Sequence, residues 1–429
     1  VERISQVYGN RRMGALAALG FASGLPYVLV TAVLQTRLAD ARQSAATIGL
    51  FSAVSLPYAF KFLWAPAMDR FVPPILGRRR GWLLVTQLAL VGAIFFMAAV
   101  PAAHSLRLLA YAAVLVAFCS ASQDIVSDAY RTDILPPEER GAGAAIFTTT
   151  YRVALLGASA GMMILVGKGW LSWRSAYVAA AAAMGVGVVA SIFAPEPQTP
   201  PGTPRTLEDA VVKPLGELLS RRGALVLLAF VVLFKLPELL AATMTIPFLK
   251  EIGVSSDRIG EIRQGLGIAM LIAGALCGGA ITARLPMRQC LLLFGILGAA
   301  SNLGFCLAAH TGAKLGVIAA VIALENFCAG LVTAGFVAFL MTQCDVRYSA
   351  FQYALLSSLM FFTGVLAGTP AGFLAHWIGW GGFFAASAAL GIPAIMMLPW
   401  ISDSADAAPA ETEPIESAFP VMQSARKIA

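Results

Sequence analysis

Twelve long apolar runs, six on each side of a proline-rich break, constrain this chain more than any other feature of its sequence. They fall near residues 13 to 36, 46 to 67, 81 to 101, 106 to 130, 140 to 166 and 173 to 194, then 223 to 249, 257 to 283, 287 to 309, 313 to 341, 350 to 376 and 379 to 400. A helix needs about 20 apolar residues to cross a bilayer. Lipid offers the backbone no hydrogen-bond partner, so each run must satisfy its own N–H and C=O groups and is predicted to be a helix. Hydrophobic residues make up 59% of the 429 and charged residues only 12%, against about 25% charged in soluble domains. The net charge of +7 forms no block that could track a nucleic acid. A soluble enzyme and a nucleic-acid binder are therefore excluded.

The break, Pro195-Glu-Pro-Gln-Thr-Pro-Pro-Gly-Thr-Pro204, cannot continue a helix. It divides the chain into a bundle over 1–194, a linker over 195–222, a second bundle over 223–400 and a polar tail over 401–429 that is expected to be disordered. In the linker, Thr206 with Asp209 reads as a helix cap. Leu207, Val211, Leu215, Leu218 and Leu219 share one face, which predicts an amphipathic helix along the membrane surface, interrupted or bent at Pro214. The connections on the side of both termini hold most of the lysines and arginines outside the spans, so both termini are expected in the cytoplasm. Lys61, Arg152, Lys235 and Arg263 lie within spans.

The halves repeat one another. Ile48-Gly49 matches Ile259-Gly260, while Arg140, Trp173 and Tyr177 find Arg347, Trp380 and Phe384 at one constant spacing. Duplicated parallel halves with a site near the midplane between them resemble the major facilitator transporters. The expected fold is thus an all-α membrane protein of twelve transmembrane helices in two pseudo-symmetric six-helix bundles.

A polar stripe crosses the fourth span. Ser120, Gln123, Asp124, Ser127, Asp128 and Arg131 fall on one helix face. An ionised carboxylate at the bilayer centre costs roughly 2.5 to 3.5 kcal/mol, so this face must meet protein or water. Between the second and third spans, Asp69-Arg70 followed by Gly77-Arg-Arg-Arg80 resembles the major facilitator signature, lengthened between its two parts. In that family an aspartate and an arginine form a cytoplasmic charge latch. The resemblance assigns Asp69, Arg70 and the cluster from Arg78 to Arg80 to it, with a plain basic loop as the alternative, and the position of Asp128, Arg131 and Asp133 near the cytoplasmic end of the fourth span places them to join it. Asp124, one turn deeper, is assigned to the cavity. The two carboxylates repel, which suits a protonatable pair; permanent neutralisation by Arg131 or Lys61 is the alternative.

Arg152, Lys235 and Glu325 each lie about twelve residues into a span, which at 1.5 Å per residue is about 18 Å and close to the midplane. Arg152 beside Tyr151 suits a carboxylate, gripped through two parallel hydrogen bonds. Lys235 and Glu238 share a face and could form a structural pair or a coupling site. Glu325-Asn326-Phe327 sets an acid, an amide and a ring side by side. Small-residue clusters at Gly20 to Gly24, Gly157 to Gly161 and Gly274 to Gly279 permit close helix crossings. Ser159 stands in a Gly-x-Ser-x-Gly sequence, but at mid-span it lacks the strand-to-helix turn that catalysis would need. The six cysteines have no metal or disulfide spacing, and no phosphate loop occurs. No cofactor, no metal and no enzymatic activity are expected.

The resemblance goes below the superfamily. Gly20-Phe-Ala-Ser-Gly-Leu-Pro26, Lys61-Phe-Leu-Trp-Ala-Pro66, Gly77-Arg-Arg-Arg-Gly-Trp82, Cys119-Ser-Ala-Ser-Gln-Asp124, Thr132-Asp133, Glu139-Arg-Gly-Ala-Gly143, Thr206-Leu-Glu-Asp-Ala-Val-Val212 and Glu325-Asn326 look like the AmpG muropeptide permeases. The resemblance implies a proton-coupled importer of anhydromuramyl peptides across the bacterial inner membrane, working as a monomer in the lipid bilayer. For such a sugar-peptide substrate, Arg152, Lys235 and Lys61 are candidates for the carboxylates, Gln35, Gln123, Asn302 and Asn326 for hydroxyls and amides, and Tyr151 for stacking. Asp124, Glu325 and Glu238 are the candidate proton carriers. Another anionic cargo, such as acetyl-coenzyme A, or a receptor that senses without transporting, are the alternatives.

Overall fold

A computed structural model describes residues 8–102, 105–198, 203–204, 206–221 and 223–401, so the tail from 402 onward lies outside the described residues. Among these, ten helices are long and apolar enough to cross a membrane. The first half contains α1 (Arg11–Asp40), α2 (45–70), α3 (Arg78–Ala99), α4 (Leu106–Ile134), α5 (Arg140–Gly167) and α6 (Trp173–Phe193). The second contains α7 (Ala224–Glu251), α8 (256–282), α9 (Met287–Thr311), α10 (Leu315–Thr342), α11 (349–378) and α12 (380–400). Nine of these are long spans in themselves, the tenth runs over Pro370–Trp400 across the kink between α11 and α12, and α2 has a shorter apolar stretch at Thr47–Leu63.

Where helices depart from regular geometry, the sequence gives the reason. α2 is a chain of short pieces, with 3-10 turns at Phe51–Ser55 and Lys61–Leu63, because Pro57 and Pro66 each remove a backbone donor and restart the helix. α1 breaks at Thr31 and resumes to Asp40, beyond the expected end at 36. α11 and α12 join without a loop, through the single non-helical residue Gly379 at φ 69°. That φ is the left-handed region, which glycine occupies without a Cβ penalty. α8 takes a π-helical turn at Glu261–Gly267, after an α-helical start at Ser256–Gly260.

Trp173 and Tyr177 open α6 as Trp380 and Phe384 open α12, and Tyr177 and Phe384 are both fully buried. Each half has its own apolar core, while a third cluster runs across both halves near the end that carries Arg78 to Arg80. At that end α5 lies directly on α8. A Cβ on Gly141 would fall on the Thr282 hydroxyl, and one on Gly279 would stand 2.8 Å from the Ala145 methyl. Gly20 and Gly24 bring α1 equally close to α5 at Phe147 and Tyr151. Gly157 and Gly161, by contrast, face open space and mark no crossing. Four cysteines are buried, Cys306 is half-buried and Cys277 is exposed.

The linker helix, Leu207–Ser220, is capped by Thr206, whose Oγ1 accepts the Asp209 N–H at 3.0 Å. It runs on through Pro214 instead of stopping there. The docked residues are Ala210, Pro214 and Leu218, against α2, α7 and α11, and this packing carries the helix past the missing donor. Leu207, Val211 and Leu219 of the anticipated apolar stripe are exposed.

Candidate substrate site and latch

A buried charge cluster, the candidate latch, forms where α3 begins. Gly77, at φ 83°, turns the chain so that three successive arginines enter the first turn of α3. Asp69, at the end of α2, accepts from Arg78 Nη2 at 2.7 Å and Arg79 Nη2 at 2.9 Å. Arg79 also donates through Nε to Asp133 at 2.6 Å and through Nη2 to Ser349 at 2.7 Å. Asp69 reaches across the halves as well: its carboxylate accepts the N–H of Ala350 at 3.3 Å and of Phe351 at 2.9 Å, capping the start of α11. Asp69, Arg78, Arg79 and Asp133 are all buried.

Two neighbours hold this cluster in place. Glu196, just past α6, accepts the N–H groups of Arg79 and Arg80 at 2.9 and 3.0 Å and so caps α3. Asp345 grips Arg347 through its side chain and backbone, which aims the Arg347 carbonyl at Arg78 Nη2, 2.9 Å away. Burial pushes the Asp345 carboxyl up, but the hydrogen bonds from Arg347 outweigh it and hold the group below the ordinary carboxylate range.

The residues expected to form one latch occupy three places. Arg70 stacks over the Phe71 ring, with its guanidinium carbon 5.3 Å from the centroid, and is not joined to Asp69. Asp128 and Arg131 form a second cluster a turn or more deeper: Lys61 Nζ stands 3.3 Å from Asp128, and Arg131 donates to Asp128 and to the Tyr353 hydroxyl of α11, both at 2.8 Å. The 3-10 turn at Lys61–Leu63 is what delivers Lys61 there. The Arg131 guanidinium also stands over the Phe147 ring at 4.6 Å.

Above this second cluster the first half presents an aromatic and charged wall. Asp124 lies within electrostatic reach of Lys61, Asp128 and Arg131, and also of Tyr27, Tyr58 and Tyr151. Tyr27 and Tyr58 meet edge to face at 5.1 Å. Arg152 is exposed, beside Tyr27 and Tyr151. Gln123 is fully buried and donates to Ser23 at 3.2 Å, so it faces the bundle interior. Gln35 is exposed, beyond the break in α1.

In the second half, Lys235 Nζ contacts Glu238 at 2.5 Å and Thr333 Oγ1 at 3.1 Å. Glu325 accepts from Asn326 at 2.8 Å and lies within electrostatic reach of Glu238, Lys235 and Arg263. Glu238, Glu325 and Asn302 line a recess between α7, α9, α10 and α12. Asn302 is buried and donates to the Pro237 carbonyl at 3.2 Å. The candidate residues therefore gather into one cluster per half, with Gln123 behind the first and joined to it through Ser23, and Gln35 apart from both.

Tyr27, Glu196, Ser349 and Tyr353 were not singled out from the sequence. Glu196 sits in a proline-rich segment that reads as linker, and the other three come close to the charged residues only through packing between helices. The one available signal was the acid in the otherwise uncharged Pro195 to Pro204 break.

Two helical halves joined by a buried charge cluster, with a further group of charged residues inside each half, fit a secondary membrane transporter. A family model of the Major Facilitator Superfamily matches residues 13–369. The Anhydromuropeptide permease of Escherichia coli K12 is 43% identical over 394 residues, covering 92% of this chain and 80% of the relative. An uncharacterized protein of Haemophilus influenzae is 34% identical, covering 93% and 96%. Putative transporter AmpG 4 of Rickettsia felis is 26% identical, covering 93% and 98%. Among solved structures, the proton:xylose symporter XylE bound to 6-bromo-6-deoxy-D-glucose superposes with a TM-score of 0.68 at 12% identity, covering 92% of this chain and 96% of that one. The human organic anion transporter TETRAN gives 0.66 at 16% identity, covering 90% and 99%. The chain belongs to the major facilitator superfamily and, within it, to the AmpG family of muropeptide permeases. It is a multi-pass membrane transporter and not an enzyme.

Proposed function

We propose that this protein imports anhydromuropeptides from periplasm to cytoplasm across the bacterial inner membrane, drawing on the proton gradient and working as a monomer. Both termini and the arginine latch face the cytoplasm. The division into bundles over 1–194 and 223–400, joined by the linker over 195–222, gives the two moving bodies. The observation that carries the reading is the charge cluster that joins the halves at the arginine end. The hydrogen bonds described between the halves, from Asp69 to Phe351 and from Arg131 to Tyr353, lie toward that end, and the acid–base clusters stand deeper. This is the arrangement of an outward-facing state. The permease name of the 43% identical relative supplies the cargo.

In this reading Arg152 and Tyr151 receive the substrate on the first half, with Lys61 holding Asp128 nearby. Lys235, Asn326 and Asn302 face it from the second, and Gln35 and Gln123 stand at the margins. Asp124 and Glu325, with Glu238, carry the protons. Each charge that enters with the potential contributes about 2.3 kcal/mol per 100 mV. Substrate and proton together offset the repulsion that holds the cavity open, and the latch parts. The test is uptake of labelled anhydromuropeptide into vesicles under an imposed pH gradient and potential. Uptake that survives collapse of both defeats the coupling. Asp124→Asn, Glu325→Gln and Arg152→Gln should each reduce uptake while the protein remains folded, and three unaffected variants defeat the site.

A further inference from the structure

The π-helical turn near the start of α8 sets one residue apart from those already assigned. Only a helix that takes in an extra residue forms such a turn, and in proteins it is rare and concentrated at functional sites. Here it spans Glu261–Gly267 and carries Arg263. Its Gly267 lies against α10: a Cβ there would stand 3.3 Å from the Asn326 amide nitrogen. Asn326 in turn donates to Glu325. The turn thus places Arg263 at the acid of the second half.

The Arg263 guanidinium is half-buried, and its Nη1 is buried with no hydrogen-bond partner among the described residues. No ion pair within 4 Å joins it to Glu325, although the two lie within electrostatic reach. The nearby acid Glu238 is taken by Lys235, and the exposed Glu261 by Arg258 at 2.9 Å. A buried charged donor left without a partner is costly and calls for an explanation. A guanidinium that is held in place, desolvated on one side and not saturated by protein is the group that a carboxylate can grip through a pair of hydrogen bonds.

We propose that Arg263, presented by the π-helical turn of α8, binds a peptide carboxylate of the substrate and, once engaged, leaves Glu325 to take up a proton. The proposal rests on the muropeptide reading and deepens it. The groups facing Glu325 are Glu238 and Lys235 from α7, Arg263 from α8, Ser301 and Asn302 of α9 across the recess, and Asn326 and Cys328 on its own helix. With Lys235 committed to Glu238, Arg263 is the cation whose allegiance can change. A ligand carboxylate adds a negative charge beside Glu325 and draws Arg263 to itself. Both effects favour the neutral acid, and one proton enters from solution onto the Glu325 carboxylate.

The experiment uses the purified full chain in lipid nanodiscs and titration calorimetry. The probes are an anhydromuramyl tripeptide with free carboxylates and the same compound with its carboxylates amidated. The protein should prefer the free acid by about ten- to a hundredfold, the worth of a charge-assisted pair. R263Q should abolish that preference, and R258Q, at the exposed neighbouring pair, should keep it. E325Q should keep the preference but lose the proton uptake on binding, read from the dependence of the heat on buffer. R263K keeps the charge without the two-pronged grip; it should weaken acid binding and leave amide binding unchanged, which tests the proposal even if R263Q does not fold. Preference retained in R263Q, or acid and amide weakened alike in R263K, overturns the proposal. Equal binding of both compounds to the unaltered protein overturns it and leaves the cargo reading standing. Binding of neither overturns the cargo reading, and the proposal falls with it.

Discussion

The Asp69 carboxylate of α2 accepts the Phe351 N–H of α11 at 2.9 Å, so one half of the molecule caps a helix belonging to the other. The same carboxylate binds Arg78 and Arg79. It is therefore both the centre of a charge cluster and the bolt between the halves. Asp69→Asn keeps the shape but removes the charge from two buried guanidinium partners. Breaking a buried pair costs on the order of 3 to 5 kcal/mol. The closed latch should lose most of its population, measured as labelling of a cysteine introduced at the buried Ala350, whose side chain takes no part in the cluster. Unchanged labelling would contradict the bolt.

Arg70 and Arg79 come from one basic stretch, yet the fold separates them. Arg79→Ala leaves Asp133 buried without its cation and should impair uptake severely. Arg70→Ala removes a stack on Phe71 and should change stability by no more than about 0.5 kcal/mol, as surface substitutions do. Thermal unfolding and vesicle uptake of the two variants check this. Equal damage from both would mean that Arg70 joins the latch in another state.

The approach of α5 to α8 is set by the absence of a side chain. Gly141→Val would drive two methyl groups into Thr282. Overpacking of this kind costs typically 1 to 3 kcal/mol, and here it falls only on the closed end. The variant should therefore shift toward the open form, and Thr282→Ala should partly restore it. Distance measurements between spin labels on α5 and α8 would register both changes.

The pair of Asp345 and Arg347 gives a pH dependence with a definite sign. The carboxyl is held below its unfolded value, which is about 3.9. Its stabilisation is thus complete above that value and is lost as pH falls through the lower folded value. Latch stability from this source should be flat between about pH 5 and 8. Asp345→Asn should lower the melting temperature by a similar amount at either pH. A difference between the variant and its parent that grew from pH 5 to pH 8 would refute the assignment.

Much of the fold was legible because the bilayer demands so much of a sequence. Twelve apolar runs and the Pro195 to Pro204 break specify the helices and the halves, and Thr206 announced its cap. The polar stripe on α4 was legible too, since an acid at mid-span needs a reason. The grouping of those acids was not. Asp128 and Asp69 both lie near the arginine end, but only the 3-10 turn at Lys61–Leu63 decides that Lys61 reaches Asp128 first. Gln123 illustrates the same limit: its place on the polar face of α4 follows from helical spacing, while its burial against Ser23 depends on the path of α1. The π-helical turn that sets Arg263 apart left no trace in hydrophobic periodicity, because one inserted residue does not alter which residues are apolar.

Gly379 carries one more consequence. With a single kinked residue between α11 and α12, the hairpin has no slack at that end. Any tilt of α11 as Asp69 lets go must turn α12 with it, in the manner of a crank. The residues of α12 that close the recess, Gly391 and Ile395, then swing with the latch. Mechanical slack inserted at Gly379 would separate the two ends of this protein while leaving every charge in place.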